Sequence, residues 1–550
     1  MNIKNSQFHK KAIACALAFV FQPTLLLAQV DSNGVAQDNI NRVVQGSKAQ
    51  AEFALPSKQV RQSGFILPDL GDSSSASLSP VDERKLGQQI MREIRRDPDY
   101  SNDPVFFDYL NSLAQQLLTP ARQLGISGFE GSGSFALSFE LFGVRDKSIN
   151  AFALPGGYIG VHTGLIVAAE SESELASVLG HEMGHVSQKH IARMYSKEGT
   201  NSMIALASIV LAVLAARNNP SAAQGLAVGG QALAIQNQLS YSRDAEREAD
   251  RVGFQILQAS GFDVQGMPDF FQRMQRANSI MENGVPGYLR THPLTTDRIA
   301  DMQDRVRGVA VRKVSSSIEF YLLKARARLI QTSSSSNYPE LRQFNESLTR
   351  KPDLAKQLEG YYGLTLLNIK QERWADAESN LQKTKNVLQA MSAAGSPVKK
   401  WSLALEASSI DLMVLRGQND AALKELNLLK SAYPNSRTFN LQTINIQLKT
   451  KQYDPAIAWL KTQLRIEPED AVLWDQLSKA YNLSGKRALQ YAALAEKYVS
   501  NGAWVAAIEQ MRLARQAGDA DFYQASEIDA RARQIQELYR QELREQGKKQ

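Results

Sequence analysis

Residues 179–190 read Leu-Gly-His-Glu-Met-Gly-His-Val-Ser-Gln-Lys-His and place His181, His185 and His190 close together. Just upstream, Ser171-Glu-Ser-Glu174 has the form of a capping box, and Leu175, Val178 and Leu179 lay down an apolar stripe at helical spacing, so the motif is predicted to sit on a helix. At about 100° per residue, His181 and His185 lie about 40° apart on one face and reach one ion together. His190 falls about 180° round from His181 and is predicted to face away from that ion. Both it and His162 read as structural. Glu182 leans over the same ion without having to ligate it. This is the His-Glu-x-x-His arrangement of a zinc peptidase, with the glutamate as general base.

A catalytic zinc takes a third protein ligand and keeps a fourth position for water. One known solution needs a glycine and then a histidine shortly after His185, but those positions hold Gln188 and Ile191. A more distant carboxylate remains. Ser242-Arg-Asp-Ala-Glu-Arg-Glu-Ala-Asp250 is a polar helical segment that offers Asp244, Glu246, Glu248 and Asp250. In one arrangement Glu246 ligates while Asp250 bonds the far nitrogen of a ligand histidine and fixes its tautomer. Spacing alone leaves all four open.

Before the motif, Phe135, Leu137, Phe139 and Leu141 alternate with smaller or polar residues, which predicts a strand with one buried face. After a turn at 145–148, Asn150-Ala-Phe-Ala-Leu-Pro-Gly-Gly157 predicts a short strand stopped by proline, hence an edge strand. Ser79-Pro80 predicts a helix start. Residues 29–78 are rich in Ser, Gln, Asn and Asp and read as a loosely ordered lead-in.

The first 28 residues have a basic start, an apolar run and a cleavage position after Ala28, the pattern of a secretory signal peptide. The single cysteine, Cys15, lies inside that leader, so the exported chain holds no disulfide and relies on ordinary cores in two or more domains. The leader carries Lys4, Lys10 and Lys11 and no acidic residue, so its removal takes the net charge from +7 to +4. No basic block interleaved with aromatics points to nucleic acid. Residues 203–216 form an apolar, uncharged run too short for a bilayer span. They read as a buried helix or a cover over the cleft, with peripheral membrane contact as the other reading, and the alanine-rich run over 225–235 packs beside them.

The motifs Asn150–Gly157, His181-Glu-Met-Gly-His185, Glu246-Arg-Glu-Ala-Asp250 and Thr291-His-Pro293 occur in an order that resembles the gluzincin peptidases related to the CAAX prenyl protease and to HtpX. The resemblance spans most of 80–310. It implies Glu246 as the third zinc ligand beside His181 and His185, Asp250 in support and one zinc ion per chain. It also implies that His292 lies near the metal, either stabilising the oxyanion or filling the fourth position and holding the enzyme inactive. Tyr241 is a weaker oxyanion candidate.

Beyond residue 316 the pattern is repetitive. Ala422, Leu426 and Pro434 recur as Ala456, Leu460 and Pro468, the tetratricopeptide period and phase. An earlier unit carries Ala377 and Leu381 at a longer spacing, assigned to an extended turn over 392–397. Trp474, Leu477 and Tyr481 open a further pair, and Trp504, Ala507 and Met511 a last one.

The expected organisation is therefore a signal peptide over 1–28, a lead-in over 29–78, a zinc metallopeptidase domain over 79–312 and a repeat domain over 316–550. The expected fold is mainly α with a small β-sheet. The expected activity is peptide-bond hydrolysis, with substrate added as a strand beside 150–154. With a leader and repeats, the resemblance implies a periplasmic enzyme acting on unfolded or misassembled outer-membrane proteins, its repeats meeting the outer-membrane beta-barrel assembly machinery. Two other classes stay open: a chaperone or scaffold acting through its repeats with a latent zinc site, and a membrane-surface protease of prenyl-protease type.

Overall fold

The computed structural model describes residues 79–129, 138–193, 242–280, 287–310 and 314–545. The leader, the lead-in, the runs over 203–216 and 225–235, and Tyr241 lie outside the described residues. Among the described residues the chain is mainly helical with one small sheet. Among the described residues, no helix is long and apolar enough to cross a membrane.

Helix α1 (Pro80–Ile94) starts with Ser79 as N-cap, its side chain accepting from the Asp82 N–H, and α2 (Pro104–Gln123) is capped likewise by Asp103. The sheet comprises β1 (Glu140–Val144), β2 (Ala151–Leu154) and β3 (Tyr158–His162) in the order β1-β3-β2. β1 pairs parallel to β3 and β2 antiparallel, which leaves β2 on an edge. A tight turn over Pro155–Gly157 ends β2, with Gly156 at φ 76°.

The first strand departs from its expected place and character. It begins only at Glu140, with Phe135 and Leu137 outside the described residues, and Leu141 through Val144 are all buried. Alternation reads one wet face, but both faces are covered. Leu141 joins the core containing Phe106 and Leu110 of α2, while Phe142 and Val144 join Leu86, Ile90 and Met91 of α1.

After β3 come α3 (Thr163–Ala168) and α4 (Glu172–Ser187), the helix bearing the histidine motif. Ser171 accepts from the Glu174 N–H, as a capping box requires, but the Glu174 carboxylate reaches one residue further back than usual and accepts from the Glu170 N–H at 2.7 Å. The chain continues through α5 (Arg243–Ala259), α6 (Gly266–Ile280), α7 (Gly287–Thr291) and α8 (Thr296–Arg307).

Helices α4 and α5 meet backbone to backbone. A Cβ on Gly253 would lie 2.8 Å from the His181 nitrogen, and one on Gly184 would lie 2.9 Å from the Ala249 oxygen. Small residues one turn apart on each helix, Gly180 and Gly184 against Ala249 and Gly253, thus allow the approach that sets the first turns of α5 beside the histidines.

Twelve further helices follow among the described residues: α9 (Ile318–Gln331), α10 (Tyr338–Thr349), α11 (Leu354–Lys370), α12 (Trp374–Ala393), α13 (Leu403–Leu415), α14 (Asn419–Ala432), α15 (Arg437–Lys449), α16 (Tyr453–Ile466), α17 (Ala471–Leu483), α18 (Arg487–Ser500), α19 (Trp504–Gln516) and α20 (Phe522–Glu545). The starts of α14, α16 and α18, at Asn419, Tyr453 and Arg487, are 34 residues apart, the tetratricopeptide period. Two residues before each start the backbone turns left-handed, at Gly417, Lys451 and Gly485. The longer spacing before α14 is taken up partly by α12 itself, which has 20 residues where α14 has 14, so a longer turn is only part of its cause.

The helical array is fastened to the preceding part. Phe320, Leu323 and Ala327 of α9 are buried in the same core as α2 and α4, and Val105 of α2 belongs to the core of the array. The Asp108 carboxylate on α2 accepts from the backbone N–H groups of Arg437 and Thr438 at 3.0 and 2.9 Å and so caps α15. Glu172, the first residue of α4, accepts from the Ser317 N–H and from the Tyr109 hydroxyl, both at 2.7 Å.

Candidate metal centre

The whole of α4 is buried, and His181 and His185 project from it one turn apart with their Nε2 atoms 3.0 Å from each other. Glu246, in the first turn of α5, brings Oε2 to 3.4 Å from His181 Nε2 and Oε1 to 3.4 Å from His185 Nε2. His292, just past α7, sets Nδ1 3.0 Å from Glu246 Oε1 and 3.3 Å from His181 Nε2. These four residues are buried, and their ligand atoms lie within 4.8 Å of one another. A tetrahedral zinc with bonds of about 2.0–2.1 Å requires donor atoms about 3.3 Å apart, so the four corners fit that ion.

The electrostatics fit it as well. Asp250 Oδ1 lies 2.9 Å from His181 Nδ1, which places the imidazole proton there and turns the Nε2 lone pair to the centre. Burial alone would lower the His181 pKa, but hydrogen bonds to Asp250 and Glu246 overcome it and raise it to about 9, so an ion that takes the Nε2 lone pair displaces a proton. Burial also opposes ionisation of Glu246, yet His292, His181 and His185 keep its carboxyl well below the usual range. His185 goes the other way, pushed well below its ordinary value chiefly by burial, so it presents a lone pair. The centre is built around a positive charge.

Glu182 is fully buried, and among the described residues neither carboxylate oxygen has a hydrogen-bond partner of ordinary geometry. Burial raises its pKa, an effect offset in part by His292, His181 and the Ala153 N–H on β2. His292 Nε2 lies 3.4 Å from Glu182 Oε1.

The structure sorts the four acidic candidates. Glu246 is in the cluster, Asp250 stands behind His181, Glu248 reaches His190, and Asp244 is exposed. His162 is buried elsewhere, its Nδ1 2.8 Å from the Ser148 hydroxyl. His190 stays out of the cluster, as expected, but it lies behind a ligand histidine and not on the opposite side of the helix. The helix stops at Ser187, Lys189 turns left-handed at φ 53°, and His190 swings back until its Nδ1 lies 2.8 Å from His185 Nδ1. Extrapolating a helix past its end hides this contact with His185.

Sequence reasoning missed two other residues. Arg298 on α8 donates to both Asp250 oxygens and to the Pro293 carbonyl, and pairs with Glu246 Oε2 at 2.8 Å. Tyr288 stacks on His292 with ring centroids 4.8 Å apart, and its buried hydroxyl has no hydrogen-bond partner among the described residues. Arginine six residues after His292 carries no local signal, whereas a tyrosine one turn before it on a helix can be read as a stacking partner.

Residues 122–306 match the model of peptidase family M48. The chain is 31% identical over 481 residues to the beta-barrel assembly-enhancing protease of Escherichia coli strain K12, a match covering 86% of this chain and 92% of that protein. It is 31% identical over 469 residues to the putative beta-barrel assembly-enhancing protease of Vibrio cholerae, with 85% and 92% covered. Against the mitochondrial metalloendopeptidase OMA1 of Arabidopsis thaliana the identity is 31% over 157 residues, 28% of this chain and 29% of that one.

Proposed function

The chain belongs to peptidase family M48 and is a zinc-dependent metalloprotease, and on that premise we propose a periplasmic endopeptidase that cleaves misassembled outer-membrane proteins and assists their assembly. The observation that carries this reading is the convergence of His181, His185 and Glu246 around a zinc-sized centre with Glu182 beside it.

His181, His185 and Glu246 would hold one zinc ion per chain. When bound, it supplies Lewis acidity to the scissile carbonyl and to water. Glu182 takes the proton of the attacking water and delivers it to the leaving amine. Its raised pKa suits a group that must both accept and return a proton. Asp250 keeps the His181 lone pair on the centre. β2, being an edge, offers main-chain groups to an extended substrate with little demand on its sequence. The helical array docks the outer-membrane beta-barrel assembly machinery, in keeping with the names of the relatives.

A specific observation favours a second reading beside the first. His292 Nδ1 fills the fourth corner, which a hydrolase keeps for water, so the resting site is closed and the protein acts meanwhile as a chaperone or scaffold. The test pairs zinc analysis with casein degradation on the leaderless protein, its Glu182→Gln variant and its Glu246→Gln variant. Zinc retained and cleavage lost in Glu182→Gln, with zinc lost in Glu246→Gln, is the expected result. Cleavage by purified Glu182→Gln overturns the assignment of the base. Rescue of an outer-membrane assembly defect by that variant assigns the cellular role to the scaffold.

A further inference from the structure

The two ligand histidines are supported in different ways. His181 Nδ1 meets the buried carboxylate of Asp250 directly, and Arg298 clamps that carboxylate. His185 Nδ1 meets another imidazole, His190 Nδ1, at 2.8 Å. The opposite nitrogen, His190 Nε2, lies 3.0 Å from Glu248 Oε2, which also accepts from Arg193 Nη1 at 2.8 Å. This second line of support runs outward. The His190 side chain is 1% exposed, that of Glu248 38% and that of Arg193 49%.

The proton directions along this line can be worked out from its end. Ionised Glu248 only accepts, so the His190 Nε2 must donate. With its proton there, neutral His190 presents a lone pair at Nδ1. Two nitrogens 2.8 Å apart share one proton, so it must be on His185 Nδ1. His185 then turns its Nε2 lone pair to the centre, the form a metal needs. Had His190 presented a proton at Nδ1 instead, His185 would point an N–H at the cation.

We propose that His190 is a positioning residue for the metal: it fixes the His185 tautomer and ring orientation, and Glu248 in turn fixes His190. The proposal rests on the reading of His185 as a ligand. The backbone is bent to serve this contact. Lys189 occupies a left-handed conformation that residues with a side chain rarely adopt, and that turn carries His190 back under His185. Sequence spacing hides the device because it sits beyond the helix end.

The test measures zinc affinity by competition with a chromophoric chelator, on the full mature chain carrying Glu182→Gln throughout so that self-cleavage plays no part. His190→Phe fills the space without accepting a proton, His190→Gln restores an acceptor, and surface Glu248→Gln leaves the core untouched. Loss of a partner behind a metal-bound histidine typically costs 10–100-fold in affinity. The expected results are a loss of that size in His190→Phe, substantial recovery in His190→Gln and a smaller loss in Glu248→Gln, with the metal-free melting temperatures close to that of the parent. Unchanged zinc affinity in both His190→Phe and Glu248→Gln overturns the proposal. A loss in His190→Phe that His190→Gln does not restore assigns a packing role instead and also overturns it. His185→Ala, run alongside, separates the two layers: if it keeps zinc, the ligand reading beneath fails, and if it loses zinc, only the role of His190 is in question.

Discussion

Arg298 grips both carboxylate oxygens of Asp250, Nε to Oδ2 at 2.7 Å and Nη2 to Oδ1 at 2.8 Å, while Asp250 Oδ1 faces His181 Nδ1 at 2.9 Å. All three are buried. Arg298→Met would remove the guanidinium that clamps Asp250 and pairs with Glu246. The expected cost is about 3–5 kcal/mol of stability, as for breaking a buried ion pair, and roughly 10–100-fold in zinc affinity. Calorimetry and chelator competition measure the two, and unchanged zinc binding would remove Arg298 from the metal's support.

His292→Ala opens the fourth corner while leaving His181, His185 and Glu246 in place. Zinc content is expected to stay near one per chain and casein degradation to rise by roughly tenfold, equivalent to about 1.4 kcal/mol of relieved blockage. If His292 instead steadies the developing oxyanion, activity drops by about 10²–10³. The sign of the change decides between them.

Gly253→Ala tests the helix contact beneath the site. In a free helix the change would stabilise by up to about 1 kcal/mol. Here the new methyl group would meet the His181 nitrogen at 2.8 Å and the Gly180 carbonyl carbon at 3.0 Å, both backbone atoms that cannot move aside. A loss of about 1–3 kcal/mol is expected, with weakened zinc binding as α5 carries Glu246 away. Thermal denaturation of the metal-free protein gives the first, and a stabilised variant would show that the two backbones are not in contact.

His162 makes stability depend on pH. Burial lowers its pKa from 6.5 to about 4, so between those values the unfolded chain takes up a proton that the folded chain refuses. Its contribution is complete above pH 6.5 and is lost as pH falls towards 4, on the order of 3 kcal/mol over the window. Subtracting the stability of His162→Gln from that of the parent across this range isolates the effect, and a flat difference would contradict it.

Features governed by neighbours in sequence were legible in the chain. Ser79 and Ser171 cap their helices, the His181/His185 spacing sets one helical face, and the 34-residue phase reappears in the starts of α14, α16 and α18. The choice of Glu246 over Asp244, Glu248 and Asp250 depends on how α5 lies against α4, and spacing within α5 is blind to that. Its trace is there in the small residues Gly180, Gly184, Ala249 and Gly253, which only a packed pair of helices makes meaningful. Arg298 acts across 48 residues of chain, and His190 depends on a left-handed lysine where no glycine announces a reversal. In β1 the alternation of Phe139 and Leu141 shows only the face towards α2, and the second buried face, Phe142 and Val144 against α1, has no such signal.

The exchange of side chains between the two halves bears on how such a chain can be inherited. Phe320 and Leu323 of α9 complete the core behind α4, and Val105 and Asp108 of α2 serve the helices beyond residue 318. A recombination breakpoint at the seam near residue 316 would separate each of these from its counterpart, so neither segment can be passed between lineages as a cassette. The helices beyond α15 return to the first segment as well, since Arg84 and Arg95 of the first segment line one cavity with Glu467, Asp470 and Lys497, so the two segments are handed down together.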